Sequence, residues 1–180
     1  MKDILKPIIV LALICLLVTA SLAYVNIKTA PVIKAAEEKA ASSARHEVLK
    51  EAETFERINS LKLPDGAVEA YKGNDESGYA IIVKVKGYGG DMKLMCGIRH
   101  DGTMEGVKTL THNETTGIGS RVVDNNSKYK ESFAGTTAGE YRNIDTVSGA
   151  TISSKAYKKG IGIAFDAFKA IREAEHENAE

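Results

Sequence analysis

Apolar and polar positions divide this chain into stretches of different period. Residues 8–25 are almost continuously apolar, about the length that crosses a bilayer as one helix. Across residues 32–61 the composition turns to Ala, Glu and Lys, and apolar residues recur at Leu49, Ala52, Phe55, Ile58 and Leu61, the spacing of an amphipathic helix. This stretch is expected to form a membrane-proximal helical stalk, broken near Ser42-Ser43. Pro64-Asp65-Gly66 is a turn signal, and beyond it the period shortens to that of strands. Residues 67–72, 79–86, 92–98 and 104–110 read as strands, rich in β-branched and aromatic side chains. Asp101-Gly102 marks a hairpin between the last two, so the sheet is at least partly antiparallel.

The helical period returns at Ser153, with Ile161, Ala164, Phe165, Phe168 and Ile171 on one stripe. Gly160 and Gly162 interrupt it at a cost of roughly 1 kcal/mol each relative to Ala, which predicts the close approach of another backbone. Residues 121–141 are polar and hydroxyl-rich, with Tyr129, Phe133 and Tyr141 as expected anchors into the core. Residues 172–180 read as a charged tail that frays. The predicted fold class is α+β: one N-terminal transmembrane helix (1–27), a helical stalk (28–63), a mostly antiparallel sheet packed with helices (64–172), and a tail (173–180).

Composition narrows the function. The 180 residues carry 24 basic and 24 acidic side chains, so no basic surface argues for nucleic acid. Cys15 and Cys96 form no Cys-x-x-Cys pair and the histidines have no ligand spacing, which disfavours zinc, haem and iron–sulfur centres. Both cysteines are expected as packed thiols. Lys2 and Lys6 precede the apolar segment while Lys28, Lys34 and Lys39 follow it, so lysine placement leaves the orientation undecided. Ser21-Leu22-Ala23 offers small residues for signal cleavage before Tyr24, but the apolar run is longer than a typical signal core and favours a retained span.

Two polar stretches stand out. In the first, residues 145–154, Gly149 permits a backbone conformation closed to other residues, and Thr151, Ser153 and Ser154 place hydroxyls at a helix start. Lys155, Lys158 and Lys159 follow. Such a corner suits a phosphate, and it equally suits an ordinary helix cap. The second stretch, His112-Asn113-Glu114-Thr115-Thr116-Gly117-Ile118-Gly119, joins an acceptor and a hydroxyl to glycines that allow close backbone approach. A plain surface loop has the same composition. Imidazole is a common general acid or base, but for His112 orienting its loop is a better reading than proton transfer. Gly87-Tyr88-Gly89-Gly90 lacks the Rossmann spacing and joins strand to strand.

Ser148-Gly149-Ala150-Thr151, with Asp145 three residues before it, resembles the flavinylation motif of the FMN-binding domain family. Further matches to that family follow its order: Gly87-Tyr88-Gly89-Gly90, then Gly97-Ile98, Asp101-Gly102, and the His112–Gly119 loop. In that loop Thr116 and Ile118 stand where the family has Pro and Leu, and losing Pro frees φ at that position. The resemblance implies covalent FMN on Thr151 through a phosphoester, installed by a separate flavin transferase that uses FAD. It implies Ser148, Gly149, Ala150, Ser153, Glu114, Thr115, Gly117 and His112 as further cofactor-binding residues, with no catalytic residue in the chain. It also implies a single-pass protein of the cell (inner) membrane with its folded domain on the extracytoplasmic side. There it would relay electrons among other membrane subunits of an ion-translocating redox complex and would not be catalytic alone. The same motifs occur in a subunit of the sodium-translocating NADH:quinone reductase, and a stand-alone membrane-tethered extracytoplasmic electron carrier shares every one of them.

Overall fold

The structure, a computed structural model, describes residues 2–59, 61–74 and 76–177. It has two compact units, one ending at Ala40 and one beginning at Ala41. In the first unit every described residue belongs to helix α1 (Lys2–Val48). The part of α1 from Leu5 onwards is long and apolar enough to cross a membrane, with a mean hydropathy of 2.8 over its most apolar window. Its polar side chains bond back to their own helix, Ser21 Oγ to the Leu17 carbonyl at 2.8 Å and Thr29 Oγ1 to the Val25 carbonyl at 3.0 Å. An apolar medium requires that of a hydroxyl. Cys15 is exposed on this helix rather than packed against protein.

The second unit is built on a five-stranded antiparallel meander, in the order β1-β2-β3-β4-β5. The strands are β1 (Phe55–Arg57), β2 (Ala67–Gly73), β3 (Gly78–Lys86), β4 (Asp91–Arg99) and β5 (Met104–Thr111). The last four match the sequence reading; the first corrects it. α1 runs unbroken through Ser42-Ser43 and ends at Val48, and Phe55–Arg57 pairs with Gly73, Lys72 and Tyr71 of β2 instead of continuing a helix. Residues 41–63, expected in the stalk, therefore belong to the folded unit.

Side chains alternate across the sheet. On one face Ala80, Ile82 and Met95 pack against Ala44 and Val48 of α1. On the other Ile81, Val83, Leu94 and Cys96 share a core with Tyr157, Ile161, Ala164 and Phe165, which lie on the long helix that closes the chain. Covered on both faces, β3 is buried at every position from Gly78 to Val83, which explains its near-continuous apolar run. Burial pushes the Cys96 thiol up to about 12 and makes it a poor nucleophile.

Two single-turn helices, α2 (Ser120–Val123) and α3 (Lys128–Glu131), lie between β5 and the closing helix α4 (Thr151–Glu177). α4 presents the expected stripe to the sheet. Gly160 and Gly162 meet side chains, not a second backbone. A Cβ on Gly160 would lie 2.9 Å from Leu94 Cδ1, and one on Gly162 would lie 3.3 Å from the Tyr141 ring. Phe133 is fully buried, Tyr141 nearly so, and Tyr129 packs against both Phe133 and Tyr157. The C-terminal tail is not frayed where it is described. α4 continues through Glu177, Glu175 accepts hydrogen bonds from Lys72 Nζ and Tyr79 OH, and Arg172 reaches His100. Residues 178–180 lie outside the described residues.

Candidate functional site

The start of α4 sorts its hydroxyls into two kinds. Gly149 sits at φ +80°, the left-handed conformation that its sequence position predicts, and turns the chain so that Ala150 is buried while Ser148, Thr151 and Ile152 are exposed. Ser154 Oγ accepts from the Val147 amide at 3.0 Å and donates to the Ala150 carbonyl at 2.9 Å, stapling the turn to the helix. Ser153 Oγ donates to Glu114 Oε2 at 2.6 Å. Both serines are buried and committed. The Thr151 hydroxyl is exposed and bonds to no other described residue, and the amides of residues 151–153 have no acceptor among the described residues. Such unpaired first-turn amides, together with the helix dipole, favour an anion.

Glu114 joins this turn to the other motifs. It is 7% exposed, and its Oε1 accepts from the amides of Tyr88 at 2.8 Å and Gly89 at 3.2 Å. Its Oε2 faces Ser153, so one carboxylate ties together segments 26 residues before it and 39 residues after it. The glycines of both loops make room for it. A Cβ on Gly119 would lie 2.8 Å from Glu114 Cβ and 3.1 Å from Ser153 Oγ, and one on Gly89 would lie 2.8 Å from the Asn113 carbonyl carbon.

The remaining predicted site residues arrange the second loop. The ring of His112 takes the Glu114 amide on Nδ1 at 3.2 Å, and its Nε2 lies 3.6 Å from Asp124. These contacts orient the loop. The Thr115 carbonyl accepts from the Ile118 and Ser120 amides, and its side chain is exposed. Gly117 sits at φ +81° with open space where a Cβ would be, and its amide donates to Ser120 Oγ at 2.8 Å.

Sequence reasoning missed the exposure of three apolar side chains in these motifs. In the second unit, the exposed large apolar side chains among the described residues are Val68, Tyr88, Ile118 and Ile152. Tyr88 belongs to a segment bonded to Glu114, and Ile118 and Ile152 each adjoin a residue held against that carboxylate. Apolar groups inside polar, glycine-rich motifs are the available signal, and exposed apolar side chains of this kind suit contact with a flat aromatic ligand.

Residues 87–166 match the family model described as FMN-binding domain. The chain is 27% identical over 158 residues to the G component of the proton-translocating ferredoxin:NAD(+) oxidoreductase complex of Clostridium ljungdahlii, with 84% of each chain covered. It is 25% identical over 195 residues to the G component of the Na(+)-translocating complex of Acetobacterium woodii, covering 93% of each. Against the G component of the ion-translocating oxidoreductase complex of Pasteurella multocida the identity is 33% over 138 residues, covering 70% of this chain and 68% of the relative. The chain belongs to the family of these G components. The matched region runs from Gly87 into α4, so it contains all three segments that Glu114 joins. α1, β1, β2 and β3 lie outside that match, on its N-terminal side.

Proposed function

We propose that this chain is the membrane-anchored flavoprotein subunit of an Rnf-type ferredoxin:NAD oxidoreductase, carrying FMN in phosphoester linkage to Thr151 and relaying electrons during ion translocation. The observation that carries the reading is the sorting of hydroxyls at the α4 start. Ser153 and Ser154 are buried and bonded, whereas Thr151 is exposed with a free hydroxyl beside unpaired amides. The residues present fit FMN: amides for a phosphate, a hydroxyl for the ester, and the apolar side chains of Tyr88, Ile118 and Ile152 for a ring. Bound FMN supplies stepwise electron exchange; the chain's part is to hold it in place and exclude water from one side. No base lies against Thr151 Oγ among the described residues, and a Thr hydroxyl is a weak nucleophile without one. A separate flavin transferase therefore takes the hydroxyl proton while Thr151 Oγ attacks the FMN phosphorus of FAD, breaking the pyrophosphate bond and releasing AMP. Partners are the other membrane subunits of the complex, as the names of the related G components suggest.

Protein made with a flavin transferase should gain the mass of one FMN less one water and a flavin absorbance that survives denaturation. Protein made without it should show neither. An unchanged mass in both would end the covalent reading. We further propose that residues 8–25 of α1 form the single membrane span and that the residues after Val25 lie on the extracytoplasmic side. Protease added to intact spheroplasts should then digest the folded unit, and protection until lysis would reverse the orientation.

A further inference from the structure

We infer that Glu114 is the positioning residue of the flavin site, acting through Ser153 to set the first turn of α4 on which Thr151 stands. The inference rests on the Thr151 reading and adds to it a role for a residue that touches no part of the ester. A loop acidic residue would ordinarily stay in water, because burying a carboxylate is costly unless its oxygens are bonded. Glu114 is buried with no cationic partner in the described ion pairs, and three donors replace its water: two amides of the Gly87–Gly90 turn on Oε1 and the Ser153 hydroxyl on Oε2. The loop residues flanking it are fixed in turn by His112 Nδ1, which accepts the Glu114 amide, and by Ser120 Oγ, which accepts the Gly117 amide. Gly89 and Gly119 have no side chain to crowd this group. The three segments thus meet at a single two-oxygen acceptor, and Thr151 lies two residues from its third donor.

What the site uses is acceptor geometry, so the side-chain amide of Gln is a suitable replacement. Its oxygen can accept both turn amides while its NH2 donates to Ser153 Oγ, which has acceptor capacity. Asp keeps the charge but is one methylene too short to reach both sides. Ala leaves two amides and a hydroxyl without their partner.

The test uses the full chain in detergent, with two readouts. Before flavin addition, the amide proton shifts of Tyr88 and Gly89 report the lock directly. They should move in Glu114→Ala and Glu114→Asp, and stay near their wild-type positions in Glu114→Gln and Ser153→Ala. With transferase and FAD, covalent flavin should form at least about tenfold more slowly in Glu114→Ala, since small misplacements of a reacting group cost rate on this scale. Glu114→Gln should recover most of the wild-type rate. Ser153→Ala, which cuts only the link to α4, should be slowed while its turn amides stay in place, and it covers the case in which Glu114→Ala fails to fold. A wild-type rate in Ser153→Ala, or a Glu114→Gln variant as slow as Glu114→Asp, would overturn the inference. Flavin retained by Thr151→Val under the same conditions would instead overturn the attachment site, and the amide shifts would still report on the lock.

Discussion

Thr151→Val is expected to abolish covalent flavin and leave the fold intact. The substitution keeps the branched shape and removes one hydroxyl that is exposed and bonds to no described residue, so its effect on stability should fall within about 0.5 kcal/mol, as for surface changes that break no specific feature. The neighbouring hydroxyls cannot readily take over. Ser154 is fully buried between the Val147 amide and the Ala150 carbonyl, and Ser153 is 3% exposed and donates to Glu114. Ser148 is the remaining exposed hydroxyl of the turn, and peptide mass mapping separates it from Thr151. The measurement is flavin fluorescence in a denaturing gel after co-expression with the transferase. Fluorescence retained in Thr151→Val would reject the assignment, while Thr151→Ser, which restores a hydroxyl, should recover at least part of the signal.

The site is legible in the sequence as segments but not as a constellation. The turn before α4 can be read because Gly149 and its hydroxyl neighbours have local backbone meaning, and its left-handed φ is where that reading puts it. Glu114 reads only as a group able to bond the cofactor, because a sequence shows an acceptor without showing its donors. Those donors come from a turn 26 residues earlier and a helix 39 residues later, and spacing carries no information at that range. Ile152 and Tyr88 escape notice for the opposite reason. An apolar residue in a motif reads as core until its exposure is known.

The fold is legible where one period runs long enough. β3 and β4 are each nine residues long, and the α4 stripe spans several turns, so both are found. β1 is misread because its three residues are too few to set a period of two, and Phe55, Ile58 and Leu61 happen to fall at helical spacing. Phe55 packs against the Ala44–Val48 cluster and Ile58 and Leu61 against the opposite core, so these side chains serve different faces of the sheet rather than one face of a helix.

That same cluster supplies the largest expected effect on stability: Gly97→Ala should lower it by about 3 kcal/mol, the upper end for overpacking a close contact. Gly97 on β4 lies directly beneath the end of α1. A Cβ there would fall far inside van der Waals contact with the Val48 carbonyl oxygen and 2.6 Å from its carbon. Backbone is on both sides of the clash, so no side-chain rotation relieves it. β4 is held between β3 and β5 by two ladders, whereas Val48 is the last residue of a helix, so the α1 end should yield and carry Val48 and Leu49 out of the core. At this domain size the melting temperature should fall by roughly 6–12 °C, with faster amide exchange at Leu49, whose N–H donates to Arg45. Gly106 provides the control. It pairs with Gly97 across the ladder, yet a Cβ on it would lie 3.6 Å from Val48 Cα, an ordinary contact. Gly106→Ala should therefore be close to neutral, helped slightly by the lower entropy of its unfolded chain. Equal melting temperatures for the two variants would mean that the α1 end is not seated on β4 at Gly97. A selective loss in Gly97→Ala would show why the Gly-Ile step before the hairpin needs a glycine although it makes no turn.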